Sequence, residues 1–343
     1  MALAEKQRYL KNIFDNKRKT VLTVKNLSVI TPKGRHILNN MNLEVFEGEI
    51  IGIIGRSGTG KSTFQKALLD LLDRSLKVKG EIRVLGKDPF SEMKQIAPDI
   101  GYVPQSLDEQ YLEHSPLDNC VFFGEQYGLS HKQIIERSNE LFDKLDIPKD
   151  RRRAPLKKLS GGQMRRVNFA ISMIHHPSVL ILDEITSGLD PVLRHQTWEY
   201  IDKINRQYNS TFLVVTQSYD ESDYCDRIAV FVEDVGFLEF GTARELLLKL
   251  PNSGFVVDVV LESFDDRALY FLHQVEGVRH VLMRGEQLRI FADTDTKTTV
   301  INVVKKLTTG GFKIHKLEPK NEASMVDYFH IVSERVKETA PNK

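Results

Sequence analysis

The chain has 343 residues, with 48 Lys and Arg against 47 Asp and Glu and a formal charge of +1. At about 150 residues per domain, this length predicts one large domain with a smaller one, or two comparable domains. The balanced charge gives no electrostatic drive toward phosphate backbones, so it excludes a strongly basic nucleic-acid binder. Hydrophobic residues make up 41% of the chain and charged residues 28%, which excludes a chain that is disordered throughout.

The two ends of the chain and its cysteines indicate a compartment. Residues 1–19 are predicted to be a charged tail, and residues 338–343 a second tail. No apolar run reaches the ~18 residues that span a bilayer, and the N-terminus lacks the apolar segment of a secretory signal. Cys120 and Cys225 are too few for a disulfide framework, so we expect two packed thiols in a reducing environment. The sequence therefore predicts a cytoplasmic chain.

Residues 20–250 alternate short apolar strands with amphipathic helices, which predicts an α/β domain with a largely parallel sheet. Three strands are apolar on both faces, as buried central strands must be: Ile50–Ile54, Val179–Leu182 and Thr211–Val215. A helix is predicted over residues 61–73, with one apolar stripe formed by Phe64, Ala67, Leu68, Leu71 and Leu72.

A second helix is predicted to begin after Ser130, because Gln133 lies three residues on and completes a capping box. Ile134, Leu141, Phe142 and Leu145 would form its buried face. This helix lies between the chemical motifs described below. We therefore predict an inserted helical subdomain at about residues 106–158.

The sequence Pro251-Asn252-Ser253-Gly254 is a break, and a second domain is predicted at residues 255–337. Its pattern is strand, helix, hairpin, helix and strand, which is the βαββαβ order of a ferredoxin-like α+β domain. The predicted elements are Phe255–Leu261, Asp265–His273, Val278–Met283 with Leu288–Phe291, Thr296–Leu307, Phe312–Leu317 and a closing helix over Ala323–Val336.

A phosphate-binding motif follows the first buried strand. The residues Gly55, Arg56, Ser57, Gly58, Thr59, Gly60, Lys61 and Ser62 fit G-x-x-x-x-G-K-[ST], and Thr63 continues into the helix. Glycines let the backbone wrap closely around phosphate oxygens, which the helix N-terminus also attracts. Lys61 supplies a point charge and Ser62 can ligate magnesium.

Two further motifs place polar groups at the ends of elements. Asp183 and Glu184 follow the strand that begins at Val179, where Asp183 can hold magnesium and Glu184 can accept a proton from an attacking water. The residues Ser160, Gly161, Gly162 and Gln163 precede an amphipathic helix and form a second anion site. One nucleotide has one triphosphate, so two anion sites suggest that each serves a different molecule of a dimer.

Together these motifs resemble the nucleotide-binding domain of ATP-binding cassette (ABC) proteins over about residues 20–250. GRSGTGKST resembles the Walker A motif, VLILDE the Walker B motif and LSGGQ the signature, while Gln105 resembles the Q-loop glutamine and residues 187–190 the D-loop. The resemblance implies a P-loop NTPase cassette that sandwiches ATP between the Walker motifs of one copy and the signature of a second. It implies that Ser62, Gln105 and Asp183 hold Mg²⁺ and that Glu184 polarises water, with Lys61 as a further catalytic residue.

Three positions depart from the family pattern. Gln217 stands where the family has its switch histidine, and a glutamine donates a hydrogen bond but cannot titrate. Slower hydrolysis is expected in consequence. The aromatic residue that stacks on adenine is missing near Thr31, and His36 or Tyr9 are the candidates to replace it. Ile185 replaces the usual proline, with a minor effect expected.

The resemblance implies the cytoplasmic ATPase subunit of a transporter, a homodimer bound through separate permease subunits to the inner face of the cell membrane. Two short segments, residues 122–130 and 317–329, are similar to those of prokaryotic exporters of drugs, lipids or polysaccharides. No nucleic-acid partner is expected. Two alternatives stay open: a soluble ABC ATPase that acts on ribosomes or DNA, and a weakly catalytic nucleotide-binding regulator.

Overall fold

The computed structural model describes residues 18–106, 111–263 and 265–339. Its backbone contacts divide the chain into two compact units, one up to Glu239 and one from Phe240 onward. The domain boundaries near residues 250 and 255 stay a prediction, and most of the two predicted tails lies outside the described residues. Within the described part of the chain, no helix is both long and apolar enough to cross a membrane.

The first unit contains nine strands and six helices among its described residues, and its last strand continues past the division. The strands are β1 (Thr20–Ile30), β2 (His36–Phe46), β3 (Ile50–Ile54), β4 (Lys77–Val84), β5 (Ile100–Val103), β6 (Val179–Asp183), β7 (Thr211–Thr216), β8 (Arg227–Val232) and β9 (Gly236–Gly241). The helices are α1 (Lys61–Leu68), α2 (Pro89–Ile96), α3 (Pro116–Gln126), α4 (His131–Lys144), α5 (Gly161–Met173) and α6 (Pro191–Tyr208).

The main sheet of this unit has the strand order β5-β6-β7-β3-β8-β9, and the pairs from β5 to β8 are parallel. A second sheet, β2-β1-β4, is antiparallel. The three predicted central strands are confirmed, because β3 and β7 are buried throughout and β6 up to its final residue. Such two-sided burial requires helices on both faces of a parallel sheet.

Helices α3 and α4 follow β5 and pack on α5. The predicted capping box is confirmed, since the Gln133 N–H donates to Ser130 Oγ and the Ser130 N–H donates to Gln133 Oε1. Ile134 and Phe142 of α4 belong to a buried cluster that also includes residues of α5, α6, β6 and β7. Cys120 of α3 is fully buried, and burial raises the pKa of its thiol to about 12, as expected for a packed cysteine.

Helix α1 is shorter than the prediction of residues 61–73, because it ends at Leu68. Asp70 adopts a left-handed backbone conformation with φ of 52°, and the Leu71 N–H donates to the Lys66 carbonyl instead of continuing the helix. The apolar stripe therefore stops after Leu68. Leu71 is 59% exposed instead of facing the core.

The second unit contains α7 (Ala243–Leu247), followed by a βαββαβ arrangement and a closing helix. These elements are β10 (Phe255–Leu261), α8 (Arg267–His273), β11 (Val278–Arg284), β12 (Gln287–Ala292), α9 (Thr296–Thr309), β13 (Ile314–Glu322) and α10 (Met325–Thr339). The strand order is β11-β12-β10-β13 with every pair antiparallel, which confirms the ferredoxin-like topology. The last strand begins two residues later than predicted and runs on to Glu322.

Candidate functional site

Four polar segments lie at the ends of four neighbouring strands. In the order β5-β6-β7-β3, Gln105 follows β5, Glu184 follows β6, Gln217 follows β7 and Gly55 follows β3. Because these strands are parallel, their carboxyl ends share one edge of the sheet, where ligands bind in open α/β folds. The sheet therefore brings together motifs that lie up to about 160 residues apart in the chain.

The phosphate loop, residues Gly55–Thr63, connects β3 to α1 in a conformation that requires glycine. Gly60 has φ of 98° immediately before the helix, and Gly58 has φ of 78°. A Cβ on Gly55 would lie 2.2 Å from the Phe231 carbonyl oxygen, so no other residue fits there. The loop thus places the N-terminus of α1 next to the carboxyl end of β3, and a helix N-terminus there favours a phosphate group.

Lys61 is held inside this loop. Its Nζ donates to the carbonyl oxygens of Gly55 and Arg56 at 2.7 Å each, and the residue is 4% exposed. Burial lowers the pKa of Lys61, while the nearby carboxylates of Glu184 and Asp183 act in the opposite direction. A cation that is desolvated in this way gains from an anion in the loop, so the residues present fit a nucleotide phosphate.

The predicted magnesium ligands present oxygen atoms, which Mg²⁺ prefers. Asp183 is half-buried at the end of β6, and burial raises the pKa of its carboxyl group, with the Glu184 charge adding to the effect. Ser62 is exposed in the first turn of α1, and Gln105 is exposed after β5. In the described part of the chain, no three His, Cys, Asp or Glu side chains are grouped so that they could hold a metal ion by themselves. A single carboxylate with hydroxyl and amide oxygens therefore suits a metal whose remaining ligands come from phosphate and water.

Glu184 accepts hydrogen bonds from both glutamines of the site. Gln105 Nε2 lies 3.0 Å from Oε2, and Gln217 Nε2 lies 2.5 Å from Oε1. Glu184 itself has a left-handed backbone with φ of 47°, and its N–H donates to the Val215 carbonyl. The sequence identified these three side chains separately but not their convergence on one carboxylate, which follows from the adjacency of β5, β6 and β7.

The signature residues lie at the N-terminus of α5, as predicted. Ser160 is the N-cap, and its Oγ accepts from the Gln163 N–H, while Gln163 Oε1 accepts from the Ser160 N–H. Ser160 and Gly161 are exposed, and a Cβ added at Gly161 would meet nothing within 4 Å. Among the described residues, no hydrogen bond joins residues 160–163 to the phosphate loop. The turn is therefore open to a second molecule, which is the condition that a shared nucleotide site imposes.

The adenine-stacking candidates differ in position. Thr31 lies in a tight loop between β1 and β2, and its Oγ1 accepts a hydrogen bond from the Arg35 N–H at 3.1 Å. His36 is exposed at the start of β2, and Tyr9 lies outside the described residues. This loop borders the phosphate loop, because a Cβ on Gly60 would lie 3.0 Å from the Ile37 carbonyl oxygen.

Comparison with known proteins places this geometry in a family. Residues 38–187 match the family model described as "ABC transporter". The chain is similar to the daunorubicin resistance ATP-binding protein DrrA3 of Streptomyces coeruleorubidus, with 31% identity over 88% of this chain and 94% of that protein. It is also similar to the energy-coupling factor transporter ATP-binding protein EcfA1 of Latilactobacillus sakei, with 33% identity over 66% of this chain and 80% of that protein.

A solved structure gives the same result for the fold. The structure of cbiO1 from Clostridium perfringens, described as part of the ABC transporter complex cbiONQ, superposes with a TM-score of 0.61. It is 26% identical in sequence and covers 68% of this chain and 92% of its own.

Proposed function

The chain belongs to the ABC transporter family as one of its ATP-binding proteins, and from this premise we propose that it powers an exporter as one of two identical ATPase subunits. It is an ATPase that uses ATP with Mg²⁺, as members of this family do. A separate permease holds the subunits at the inner face of the cell membrane. That transport is outward is the more specific part of the proposal.

One observation favours an exporter. Residues up to Glu239 are 239 of 343, so a match over 88% of the chain extends into the second unit. The protein with this match is named for drug resistance, whereas the match to the energy-coupling factor protein covers 66% of the chain. The match to the resistance protein therefore includes part of the C-terminal unit, which supports an exporter.

We assign the chemistry of the site as follows. The backbone of residues 55–63 and the Lys61 ammonium bind the phosphates, and Ser62, Gln105 and Asp183 are the side chains that would hold Mg²⁺, which supplies charge stabilisation to phosphoryl transfer when bound. Glu184 orients the attacking water and accepts its proton. Gln217 and Gln105 hold that carboxylate through the two hydrogen bonds described above.

The exposed signature turn supports a dimer. Ser160, Gly161, Gly162 and Gln163 lie at a helix N-terminus, where backbone N–H groups favour an anion. In the proposed homodimer this turn binds the γ-phosphate of the ATP held by the phosphate loop of the second copy. ATP binding then closes the dimer, and hydrolysis reopens it.

A groove beside β5 supports the attachment of a permease. It has a volume of about 270 Å³ and is lined mainly by apolar and aromatic side chains, including Tyr102, Pro104, Phe123 and Tyr127. Pro104 directly precedes Gln105, which hydrogen-bonds Glu184. A permease segment seated in this groove would therefore be linked to the catalytic carboxylate through one residue.

The test of the ATPase and dimer assignment uses Glu184→Gln. This variant keeps the shape of the site but cannot accept a proton, so we expect normal ATP binding, no turnover and a stable ATP-dependent dimer in size-exclusion chromatography. Steady-state phosphate release at the parent rate would contradict the role of Glu184. A monomer in saturating ATP would contradict the shared site.

The direction of transport needs the complete transporter. The chain is co-expressed with a candidate permease, chosen as a polytopic membrane protein whose gene adjoins its own, and inside-out vesicles are supplied with ATP and Mg²⁺. We expect ATP-dependent accumulation of the cargo in these vesicles, and ATPase activity that rises with the permease present. Accumulation only in right-side-out vesicles loaded with ATP and Mg²⁺ would show an importer, and ATPase activity indifferent to the permease would contradict attachment.

A further inference from the structure

Arg165 links the signature helix to the loop that follows Glu184. It lies in the second turn of α5, and its Nη1 donates to the carbonyl oxygens of Ile185 and Ser187 at 2.7 Å each. These two carbonyls belong to the segment between Glu184 and helix α6. One guanidinium therefore spans the start and the middle of the loop that carries the proposed catalytic base.

The surroundings of Arg165 indicate that its guanidinium binds backbone carbonyls instead of a carboxylate. The side chain is half-buried, and burial lowers the pKa of the guanidinium. Within the described residues, no carboxylate lies at ion-pair distance from it. A partly desolvated guanidinium with two carbonyl acceptors makes charge-assisted hydrogen bonds, which are stronger than neutral ones and fix the geometry of both acceptors.

The loop needs such a restraint because Glu184 has a left-handed backbone. A non-glycine residue in this conformation is strained, and it persists only where the surroundings hold it. On the β7 side, the Glu184 N–H donates to the Val215 carbonyl. On the α5 side, Arg165 donates to the carbonyls of Ile185 and Ser187, which lie one and three positions after Glu184.

The neighbouring arginine makes contacts in a different direction. Arg166 Nη1 donates to the carbonyls of Leu145 and Asp146 at the end of α4, and to the Tyr200 hydroxyl of α6. Arg166 Nε also donates to the Gly162 carbonyl one turn earlier in α5. Arg166 therefore connects α5 to the helical insertion, and among the described residues no hydrogen bond joins it to the loop after Glu184. The two adjacent residues provide a matched pair for experiment.

We propose that Arg165 is a positioning residue that couples the signature turn to Glu184 of the same chain. This inference rests on the proposed function, in which the signature turn, residues 160–163, contacts the nucleotide of a second copy. When that contact shifts the first turns of α5, Arg165 transmits the shift to the Ile185 and Ser187 carbonyls and so to the catalytic carboxylate. Hydrolysis at the Glu184 of one chain then responds to the nucleotide bound by the other chain.

The first experiment measures the loop directly in the nucleotide-free full chain by hydrogen–deuterium exchange. The N–H groups of Ser187 and Leu189 donate to the carbonyls of Glu184 and Thr186, so their exchange reports on the loop. We expect Arg165→Met to increase exchange in residues 184–190 by about tenfold, and Arg166→Met to leave it unchanged. Unchanged exchange in Arg165→Met would overturn the proposal without any assumption about dimers.

The second experiment asks which Glu184 depends on Arg165, using hybrid dimers with one active site. Two differently tagged copies are co-purified with ATP and EDTA, and a single turnover is started with Mg²⁺. In the cis hybrid, Arg165→Met lies on the chain that keeps Glu184, and the other chain carries Glu184→Gln. In the trans hybrid, both substitutions lie on one chain, and the active chain is otherwise wild type.

We expect the cis hybrid to turn over about tenfold more slowly than the hybrid of wild type with Glu184→Gln, and the trans hybrid to match that reference. A slow trans hybrid with a normal cis hybrid would show that Arg165 acts through the signature turn alone and would overturn the proposal. Equal slowing of the cis and trans hybrids, or no slowing of either hybrid, would also overturn the proposal. Failure of the reference hybrid to turn over would instead contradict the proposed function.

A folding defect is separated from a coupling defect by a second variant. Arg165→Lys keeps the charge and a donor but cannot reach two carbonyls in a fixed fork, so we expect a cis-only loss smaller than that of Arg165→Met. A thermal midpoint equal to that of the parent shows that the variant is folded. A cis-only loss in a variant with the parent midpoint supports the proposal, and its absence in both variants overturns it.

Discussion

Gln217 donates a hydrogen bond to Oε1 of Glu184, with its Nε2 2.5 Å from that oxygen. Gln105 occupies the other carboxylate oxygen, so the proposed base is held by two neutral amides. Neutral donors stabilise the ionised carboxylate without adding a titrating group to the site. In the proposed mechanism Gln217 therefore orients Glu184, but as a neutral amide it cannot carry charge.

We predict that Gln217→Leu lowers kcat for ATP hydrolysis by about tenfold or more and changes KM by less than about threefold, because the carboxylate loses one orienting donor. Gln217→His restores a donor and adds an imidazole with an ordinary pKa of about 6.5, so the ratio of its kcat to that of the parent should change with pH near that value. The measurement is steady-state phosphate release between pH 5.5 and pH 8.5. An unchanged kcat in Gln217→Leu, in a variant with the parent melting temperature, would contradict this orienting role.

Local signals were sufficient for much of the fold. Strand β3 is apolar on both faces, and the capping box at Ser130 depends on residues only three positions apart. Such features are encoded within a few residues, so the sequence predicts them. The predicted end of α1 was wrong. The apolar periodicity continues to Leu72, but the left-handed backbone at Asp70 ends the helix earlier, and periodicity does not encode that turn.

The site was predictable residue by residue but not as an arrangement. Gln105 and Glu184 are separated by 79 positions, and their hydrogen bond depends on the adjacency of β5 and β6. Strand order is a tertiary property that alternation along the chain does not specify. The contact of Arg165 with the loop after Glu184 has no sequence signal either, because it joins a side chain to backbone carbonyls.

We predict that Thr31→Tyr strengthens ATP binding. The loop that contains Thr31 leads into β2, where Ile37 borders Gly60 of the phosphate loop, and residues 31–35 include no aromatic side chain. Stacking of an aromatic ring contributes about 0.5–1.5 kcal/mol, so KM for ATP should fall by about two- to tenfold at constant kcat. The control is Thr31→Leu, which adds apolar bulk without a ring. Equal effects of Tyr and Leu would exclude stacking.

We predict that the buried ion cluster of the second unit is sensitive to the loss of one partner. Arg289 of β12 donates from Nε and Nη2 to both oxygens of Asp258 and from Nη1 to Asp327 of α10, with all three residues buried. The two carboxylates raise the pKa of Arg289 despite its burial. Arg284 Nη2 also pairs with Asp327 at 2.9 Å. Arg289→Met therefore leaves buried Asp258 without its cationic partner and Asp327 with one of two, and it should destabilise this unit by about 3–5 kcal/mol.

The control for this cluster replaces Arg289 and both of its carboxylate partners, and it leaves Arg284, whose side chain is 36% exposed. The triple variant Asp258→Leu, Arg289→Met and Asp327→Leu removes the desolvation cost together with the attraction, so it should be more stable than Arg289→Met alone. Urea unfolding followed by circular dichroism and by hydrogen exchange of β10 and β12 measures the difference. A triple variant no more stable than the single variant would contradict this account of the cluster.

We predict that His175 makes stability fall in mild acid. Its ring stacks on Tyr127 at 3.7 Å between centroids, Nε2 lies 3.0 Å from the Ile100 carbonyl, and buried Nδ1 has no hydrogen-bond partner among the described residues. Burial lowers the pKa of His175 from 6.5 to about 4. Between these two pKa values, the native chain therefore binds fewer protons at His175 than the unfolded chain does. The contribution of the neutral imidazole to the free energy of unfolding is complete above about pH 6.5 and is lost as the pH falls toward 4. The urea midpoint of wild type should thus decline over this window more steeply than that of His175→Phe, which keeps the stacked ring but cannot titrate. Parallel declines in the two proteins would assign the acid sensitivity to other groups.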